Sequence, residues 1–167
     1  MSLSTLFTSP RLEVSQVTLP LTTTEHQQLI DAAITLLTPA VVAPLPPYFA
    51  AVTDQASAAI WLDRMLADST LLLVSSQQQA IGFCFAFAEP EQVHIGYLLG
   101  QAYWGQGLAT ELLRHWIDWA QHHSYWQRLI GGVGRDNPAS AAVLRKLGFE
   151  LGQQQGDTDF YQLILSR

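Results

Sequence analysis

The sequence has few charged residues, one cysteine and no long uninterrupted run of apolar residues. Charged residues make up 13% of the 167 positions and hydrophobic residues 49%, the reverse of the balance that keeps a chain disordered. The single cysteine, Cys84, excludes an internal disulfide and a cysteine-rich zinc site. The longest apolar stretch, residues 80–88, is far shorter than the roughly 20 residues that cross a bilayer. These deficits predict a folded, soluble protein.

Basic residues are scarce as well: 8 lysines and arginines stand against 14 acidic residues, giving a net charge of −6. Since nucleic-acid-binding proteins carry basic surfaces, no nucleic acid partner is expected. The N-terminal residues M-S-L-S-T-L-F-T-S-P-R lack the cationic start and apolar core of a signal peptide. We therefore expect a cytoplasmic protein that does not bind membranes, folded as a single domain over residues 1–167.

Apolar periodicity and helix caps predict one mixed α/β (α+β) domain with about seven strands and about four helices. A first strand is expected over Arg11–Val17. The first helix is expected to be capped by Thr24, with Gln27 at the third position, and to stop before Pro39. Residues 39–50 contain four prolines and predict a stiff loop without helix, either a surface connection or the wall of a binding cleft.

The rest of the chain alternates between strands and helices. We expect antiparallel strands over 71–75, 81–88 and 93–99, and a parallel crossover that joins the last of them to the strand at 129–133 through a long helix. The other expected elements are helices over 54–67 and 107–122, a short helix from Asn137 to Gly148, and a terminal hairpin of strands 149–154 and 160–165.

A glycine-rich turn separates the strand at 93–99 from the long helix, in the sequence G-Y-L-L-G-Q-A-Y-W-G-Q-G-L-A-T over residues 96–110. Gly105 and Gly107 allow the backbone to approach a ligand closely. The start of the following helix adds unpaired N–H groups and a positive dipole end, an arrangement that suits a diphosphate. The segment matches neither the Walker nor the dinucleotide fingerprint. The alternative is a tight strand-to-helix turn that binds no ligand.

A second segment, R-D-N-P-A-S-A-A-V-L-R-K-L-G-F over residues 135–149, follows about thirty residues later. By itself, the spacing of Asn137 and Ser140 is explained by a helix start. Taken together, the two segments resemble the GNAT superfamily of acetyl-CoA-dependent N-acetyltransferases, and are most similar to the branch with the ribosomal-protein N-terminal acetyltransferases. The resemblance extends from about Arg11 to Leu165 and includes the second-helix segment A-S-A-A-I-W-L.

This resemblance implies that acetyl-CoA is the co-substrate and that the sheet is splayed where it binds. Main-chain groups of Leu98 and Leu99 would pair with the pantetheine arm like an added strand, and Asn137 would hydrogen-bond the same arm. Trp104 replaces the usual Gln or Arg of the diphosphate motif. The backbone expected to hold the diphosphate belongs to Gly105, Gln106, Gly107, Leu108 and Ala109.

The resemblance also implies direct transfer of the acetyl group to a primary amine, of a protein N-terminus or of a small molecule. Many relatives carry a Tyr that protonates the departing thiolate, and here that position is Leu144. In this branch the suggested donor is Ser140, which would stabilise the developing charge by a hydrogen bond. His94 occupies the position where relatives often have a Glu base. Histidine ordinarily titrates near pH 6.5 and suits a general base.

Several alternatives stay open at this stage. The base is His94, Glu89, Glu91 or a water molecule, and a solvated or packed strand histidine is the other interpretation of His94. Because the family's Glu and Tyr are absent, a non-catalytic acyl-CoA-binding sensor or partner module is the alternative function. Arg145 and Lys146 either approach the 3′-phosphate of coenzyme A or cover a solvated helix face.

The remaining expectations concern metals and assembly. No metal site is expected, because the polar face of a helix accounts for His115 and His122. Cys84 lies in an apolar strand and is interpreted as a small buried hydrophobe. A homodimer is one of the oligomeric states compatible with the sequence.

Overall fold

One continuous mixed sheet runs through the computed structural model, which describes residues 2–166. Its eight strands lie in the order β1-β2-β3-β4-β5-β6-β8-β7, which confirms the predicted α/β class. The strands are β1 Leu3–Thr8, β2 Glu13–Val17, β3 Thr70–Ser76, β4 Gln79–Ala88, β5 Val93–Leu99, β6 Arg128–Gly134, β7 Glu150–Gln155 and β8 Thr158–Ile164. The sequence analysis missed β1, an edge strand that pairs only with β2 and whose half-exposed residues show no clean alternation.

Within the described part of the chain, five α-helices cover the two faces of the sheet. None of the helices within residues 2–166 is long and apolar enough to cross a membrane. Asn137 caps its helix with a side-chain oxygen, as the sequence predicts, and Asp54 does the same for the helix that follows it. The helices are α1 Thr23–Leu36, α2 Pro39–Val42, α3 Gln55–Asp68, α4 Leu108–His123 and α5 Pro138–Lys146, with 3-10 turns over Pro47–Ala51 and Gln101–Tyr103.

The first helix begins two residues earlier than predicted. Thr22, not Thr24, is the N-cap: its hydroxyl accepts the Glu25 N–H at 3.1 Å, and the Glu25 carboxylate accepts the Thr22 N–H at 3.0 Å. Three consecutive threonines offered three candidate caps. An acidic residue three positions on favours Thr22, because a carboxylate both accepts the cap N–H and interacts with the positive end of the helix.

The prediction of a loop without helix over residues 39–50 is wrong. Pro39 stands at the first position of α2 and Pro47 at the start of a 3-10 turn. Proline is well tolerated there, because the N–H it lacks would have no partner inside the helix. Val41, Val42 and Phe49 are buried, so the segment belongs to the core and is not a simple surface connection.

Strand alternation divides the core between the two faces of the sheet. In β4, Phe83 and Phe85 pack with α1, α2 and α3, whereas Cys84 packs with α4 and α5 on the other face. The α4 face is anchored by the fully buried Trp116 and the α3 face by Trp61, around which Phe49, Phe83 and Phe85 pack edge to face. Burial on both faces explains why β4 carries no polar side chain from Ala80 to Ala88.

The parallel pair β5–β6 is joined over only part of its length. Pairing is confined to Val93, His94 and Ile95 on β5 and residues 129–131 on β6. Beyond Ile95, β5 stays paired with β4 and β6 with β8, so a gap opens between the C-terminal halves of these two central strands. β5 leads from this gap into the glycine-rich turn and α4, and β6 leads into α5.

Candidate active site

The gap between β5 and β6 exposes main-chain groups on one of its edges. The Leu98 carbonyl faces β4, since a β-carbon added to Gly82 would meet it, and the neighbouring Gly100 N–H donates to Ile81 of β4 at 2.8 Å. Successive residues of a strand direct their main-chain groups to opposite edges. The main-chain N–H and C=O groups of Leu99 and Tyr97 therefore face the gap. Those of Leu98, which the resemblance implied would pair with the pantetheine arm, face β4.

The glycine-rich turn is held against the end of β5 by Trp104. Its indole N–H donates to the Leu99 carbonyl at 2.9 Å, while nearly half of the residue, 48%, stays exposed. Gly105 and Gly107 have φ values of 73° and 76°, in the left-handed region that strongly favours glycine. A β-carbon at Gly105 would meet no atom within 4 Å. Any other residue at these two positions would strain the backbone, and at Gly105 no neighbouring side chain fills the space beside the turn.

The start of α4 leaves N–H groups without partners inside the helix. Gly107 is the N-cap, and among residues 2–166 no side chain caps it. The first intrahelical bond runs from the Glu111 N–H to the Gly107 carbonyl, so Leu108, Ala109 and Thr110 have no partner within the helix. The Gln106 side chain turns back to the Ala102 carbonyl at 3.2 Å. A helix of 16 residues adds its positive dipole end to these donors.

Ser140 lies across the gap from β5, in the first turn of α5. Its N–H donates to the Asn137 carboxamide oxygen at 3.4 Å, which caps the helix. Its hydroxyl lies 3.3 Å from the phenol oxygen of Tyr97, which reaches it from β5. Burial raises the pKa of Tyr97, and the hydrogen bond with Ser140 offsets only part of that rise. The phenol therefore stays protonated, and can donate, throughout the neutral range.

His94 lies on the other face of the sheet from Tyr97, as the alternation predicts. It is opposite Phe87 on β4, and its ring meets the Phe160 ring edge to face at a centroid distance of 6.3 Å. Its Nε2 lies 3.0 Å from Glu89 Oε1, and 35% of its side chain is exposed. It is neither a fully solvated nor a fully packed histidine. A proton on Nε2 would leave Nδ1 as the free acceptor.

The fold brings most of the predicted site residues to one gap. The turn from Trp104 to Ala109 and Leu99 lie on its β5 side, and Asn137 and Ser140 lie on its β6 side. Sequence reasoning missed Tyr97, which was counted only as part of the strand pattern. Its contact with Ser140 links residues 43 positions apart, and a phenol in a strand that ends at a glycine-rich turn was the only available signal.

The geometry of this gap agrees with comparisons of the sequence. The model of the acetyltransferase (GNAT) domain family matches residues 18–150, which is most of the chain. The chain belongs to the GNAT acetyltransferase family.

A probable N-acetyltransferase of Bacillus subtilis, YjcK, is 42% identical over 55 residues, 33% of this chain and 30% of the relative. An uncharacterized N-acetyltransferase of Bacillus licheniformis, p20, is 30% identical over 82 residues, 47% of this chain and 46% of the relative. The matched stretches thus span less than half of these curated relatives.

Solved GNAT structures share the fold over nearly their full length. RimL, described as a ribosomal-protein alpha-N-acetyltransferase and solved with coenzyme A, has a TM-score of 0.80 at 19% identity, with 97% of this chain and 98% of that chain covered. A Salmonella typhimurium acetyltransferase, described as modifying the N-terminal serine of ribosomal protein L7/L12, has a TM-score of 0.76 at 19% identity, with 98% of this chain and 100% of that chain covered. MccE, a microcin self-immunity acetyltransferase solved with acetyl-CoA and AMP, has a TM-score of 0.72 at 13% identity, covering 94% of each chain. At such identities the similarity concerns the fold.

Beside the turn, this GNAT domain has an open cleft of about 360 Å³. Gly107 lines it together with the Glu111 carboxylate and three cationic side chains, Arg11, Arg114 of α4 and Lys146 of α5. Arg145 is directed elsewhere, because its guanidinium donates to the Tyr161 hydroxyl at 3.0 Å. The sequence left open whether Arg145 and Lys146 approach a phosphate or cover a solvated helix face; of the two, only Lys146 lies beside the turn.

The other reactive side chains of this GNAT domain are engaged in the helix or the core. His115 and His122 each place Nδ1 2.9 Å from the carbonyl four residues earlier in α4. Within residues 2–166 no group of three or more His, Cys, Asp or Glu side chains is placed to hold a metal ion. Cys84 is fully buried, and that burial strongly raises the pKa of its thiol, so it is a poor nucleophile.

Proposed function

We propose that this chain is an N-acetyltransferase that moves the acetyl group of acetyl-CoA directly to a primary amine, of a protein N-terminus or of a small molecule. The observation that carries the proposal is the β5–β6 gap, which ends at an uncapped helix N-terminus behind two left-handed glycines. The ligand expected from the resemblance has a diphosphate at one end and a thioester at the other. The gap offers donors for both ends.

The N–H groups of Gly105 to Ala109 would hold the diphosphate. The left-handed glycines curve the backbone so that successive N–H groups converge, and converging N–H groups bind anions. The dipole of α4 adds to the attraction, and Arg114 and Lys146 place positive charge in the adjoining cleft. A β-carbon at Gly105 would meet no atom within 4 Å, so the space beside the turn can admit a ligand.

The pantetheine arm would lie along the β5 edge of the gap. Pairing there would use the main chain of Leu99 and Tyr97, which faces the gap, in place of the Leu98 group, which faces β4. The Leu99 carbonyl already accepts from Trp104, so the Leu99 N–H is the free group of that residue for the arm. Asn137 uses its carboxamide oxygen to cap α5, which leaves its NH₂ group to donate across the gap.

His94 would take the proton that the amine must lose. Acetyl-CoA supplies an activated thioester, but a protonated amine has no lone pair with which to attack it. Glu89 at 3.0 Å orients the imidazole and stabilises the imidazolium that forms, as carboxylates do for histidine bases. His94 would thus act from one face of the sheet and Ser140, the donor to the sulfur, from the other. This arrangement suits an amine that attacks the thioester from the face opposite the departing thiol.

Ser140 would donate a hydrogen bond to the sulfur as the carbon–sulfur bond breaks. A serine hydroxyl is too weak an acid to give up its proton outright, so its effect is electrostatic. If the Tyr97 phenol donates to Ser140 at 3.3 Å, the serine proton is left to face the gap. Chains of hydrogen bonds polarise one another. Tyr97 would therefore strengthen the donor that Ser140 presents.

Ser140→Ala is expected to lower kcat by about tenfold to a hundredfold, because a hydrogen bond to a charged group contributes about 1.5–3 kcal/mol. Tyr97→Phe should lower kcat by a smaller factor, and the double variant should be no worse than Ser140→Ala alone, since the phenol acts through the serine. Steady-state kinetics at saturating acetyl-CoA measures both effects. Independent, multiplying losses would show that Tyr97 does not act through Ser140.

The non-catalytic acyl-CoA-binding module is the second candidate, supported by the replacement of the family's Glu and Tyr by His94 and Leu144. The test is thiol release from acetyl-CoA by the purified protein across a panel of peptides, amino acids, polyamines and other amines. We expect amine-dependent release with at least one acceptor class. Acetyl-CoA binding with no amine-dependent release would favour the sensor, and no calorimetric signal with CoA or acetyl-CoA would contradict both functions.

A further inference from the structure

An ion-paired cluster joins the N-terminal segment of the chain to the glycine-rich turn. The Glu111 carboxylate, in the first turn of α4, accepts from the Arg11 N–H at 2.9 Å, the Arg11 Nε at 2.7 Å and the Ser9 hydroxyl at 2.5 Å. From this carboxylate the Arg11 guanidinium reaches on to the Gln106 carbonyl, to which Nη1 donates at 2.8 Å. Residues about a hundred positions apart thus meet at the turn.

This cluster differs from an ordinary surface ion pair, which contributes little because both side chains are solvated and mobile. Only 13% of the Glu111 side chain is exposed, and three donors fix its two oxygens. Burial alone would raise the pKa of Glu111, but the hydrogen bonds from Ser9 and Arg11 and the charge of Arg11 outweigh it and lower that pKa. The carboxylate is therefore ionised at neutral pH, and the cluster would be lost only well into the acid range.

The bond to the Gln106 carbonyl has a geometric consequence. In a trans peptide the C=O of one residue and the N–H of the next point in opposite directions. Holding the Gln106 carbonyl on the Arg11 side therefore directs the Gly107 N–H to the other side. Gly107 has φ 76° and no side chain, so it permits either orientation of the preceding peptide, as glycines in turns do.

We infer that Arg11 and Glu111 form a clamp that selects one orientation of the Gln106–Gly107 peptide and so preorganises the N–H donors for the diphosphate of acetyl-CoA. The inference rests on the proposed function, because it assigns a positioning role for the same ligand. Arg11 acts here through the backbone and not by touching a phosphate. The clamp removes an alternative peptide orientation before binding, which otherwise would reduce the apparent affinity.

The test is calorimetric affinity for CoA and for 3′-dephospho-CoA, which keeps the diphosphate, at a temperature where every variant is folded by thermal denaturation. Arg11→Met and Glu111→Gln are each expected to weaken both ligands about tenfold, the effect of losing one ordering interaction. Their double variant should be no weaker than either single variant. The matched control is Arg64→Met, which removes an exposed arginine paired with Asp68 on α3 and should leave both affinities unchanged.

The outcomes separate the clamp from its alternatives. If Arg11 binds a phosphate directly, Glu111→Gln frees the guanidinium and leaves affinity unchanged or higher, which overturns the clamp. If Arg11→Met weakens CoA but not dephospho-CoA, Arg11 serves the 3′-phosphate, and the clamp is again wrong. Wild-type affinity in both variants would also overturn it while leaving the proposed function intact. Absence of CoA binding by the wild-type protein would contradict the proposed function itself.

Discussion

His94→Gln is expected to lower kcat by about a hundredfold or more at neutral pH, because a positioned general base contributes typically 10²–10⁴. Glutamine keeps the approximate size and a hydrogen bond to Glu89 but cannot take a proton. The loss should shrink as the pH rises, since the amine then deprotonates without help; a protein N-terminus titrates near 8 and a lysine near 10.4. The acidic limb of the kcat/KM–pH profile should therefore move to higher pH in the variant, toward the pKa of the amine itself.

His122→Gln is the matched control for this substitution. His122 lies on the exposed face of α4, where Nδ1 lies 2.9 Å from the Asp118 carbonyl, and the proposed site does not include it. Its kcat and pH profile should equal those of the wild type. If the His94 variant also keeps the wild-type profile, the base is a water molecule or one of the turn carboxylates, Glu89 or Glu91, and those become the next variants to test. Weaker acetyl-CoA binding as the only change would indicate a packing role for His94.

Gly107→Pro is expected to weaken CoA binding by at least about a hundredfold. Proline fixes φ near −65°, whereas Gly107 has φ 76°, so the turn cannot keep its path. The substitution also removes the N–H that the clamp directs at the diphosphate. Together these changes remove or misplace several of the donors between Gly105 and Ala109. The measurement is calorimetry with CoA on material whose circular dichroism and cooperative unfolding match those of the wild type.

A milder pair of variants keeps this test valid if the proline variant does not fold. Gly107→Ala and Gly156→Ala each place a β-carbon on a left-handed glycine; Gly156, with φ 56°, lies in the β7–β8 turn. Each should cost about 1–2 kcal/mol of stability. Only Gly107→Ala should weaken CoA. Equal CoA affinity in the two variants would count against the turn as the diphosphate site.

Local sequence determined the parts of the site that depend on backbone conformation within a few residues. Two glycines separated by one residue ahead of a strongly amphipathic segment indicate a left-handed turn and a helix start. Asn137 followed by Pro138 indicates the start of α5, and the alternation of β5 places His94 on the face opposite Tyr97. Such features follow from φ preferences, capping and the two-residue period of a strand, which need no information about distant residues.

Where local signals competed or were weak, the sequence was not sufficient. Three successive threonines left the start of α1 undecided until Glu25 was seen to bond Thr22. Prolines in residues 39–50 indicated a loop, although proline at a first helical position is compatible with α2 and the 3-10 turn that burial of Phe49 stabilises. The local capping box of Thr22 and Glu25 decided the first case, and tertiary packing decided the second.

Only the tertiary structure determined the gap and what lies around it. The separation of β5 from β6 after Ile95 depends on the order of the strands, which brings β8 to the far side of β6. The same order places Tyr97 against Ser140, and the packing of the N-terminal segment on α4 places Arg11 against the turn at Gln106. These contacts join residues 43 and 95 positions apart. Their formation depends on the packing of the whole chain, because local propensities act over only a few residues.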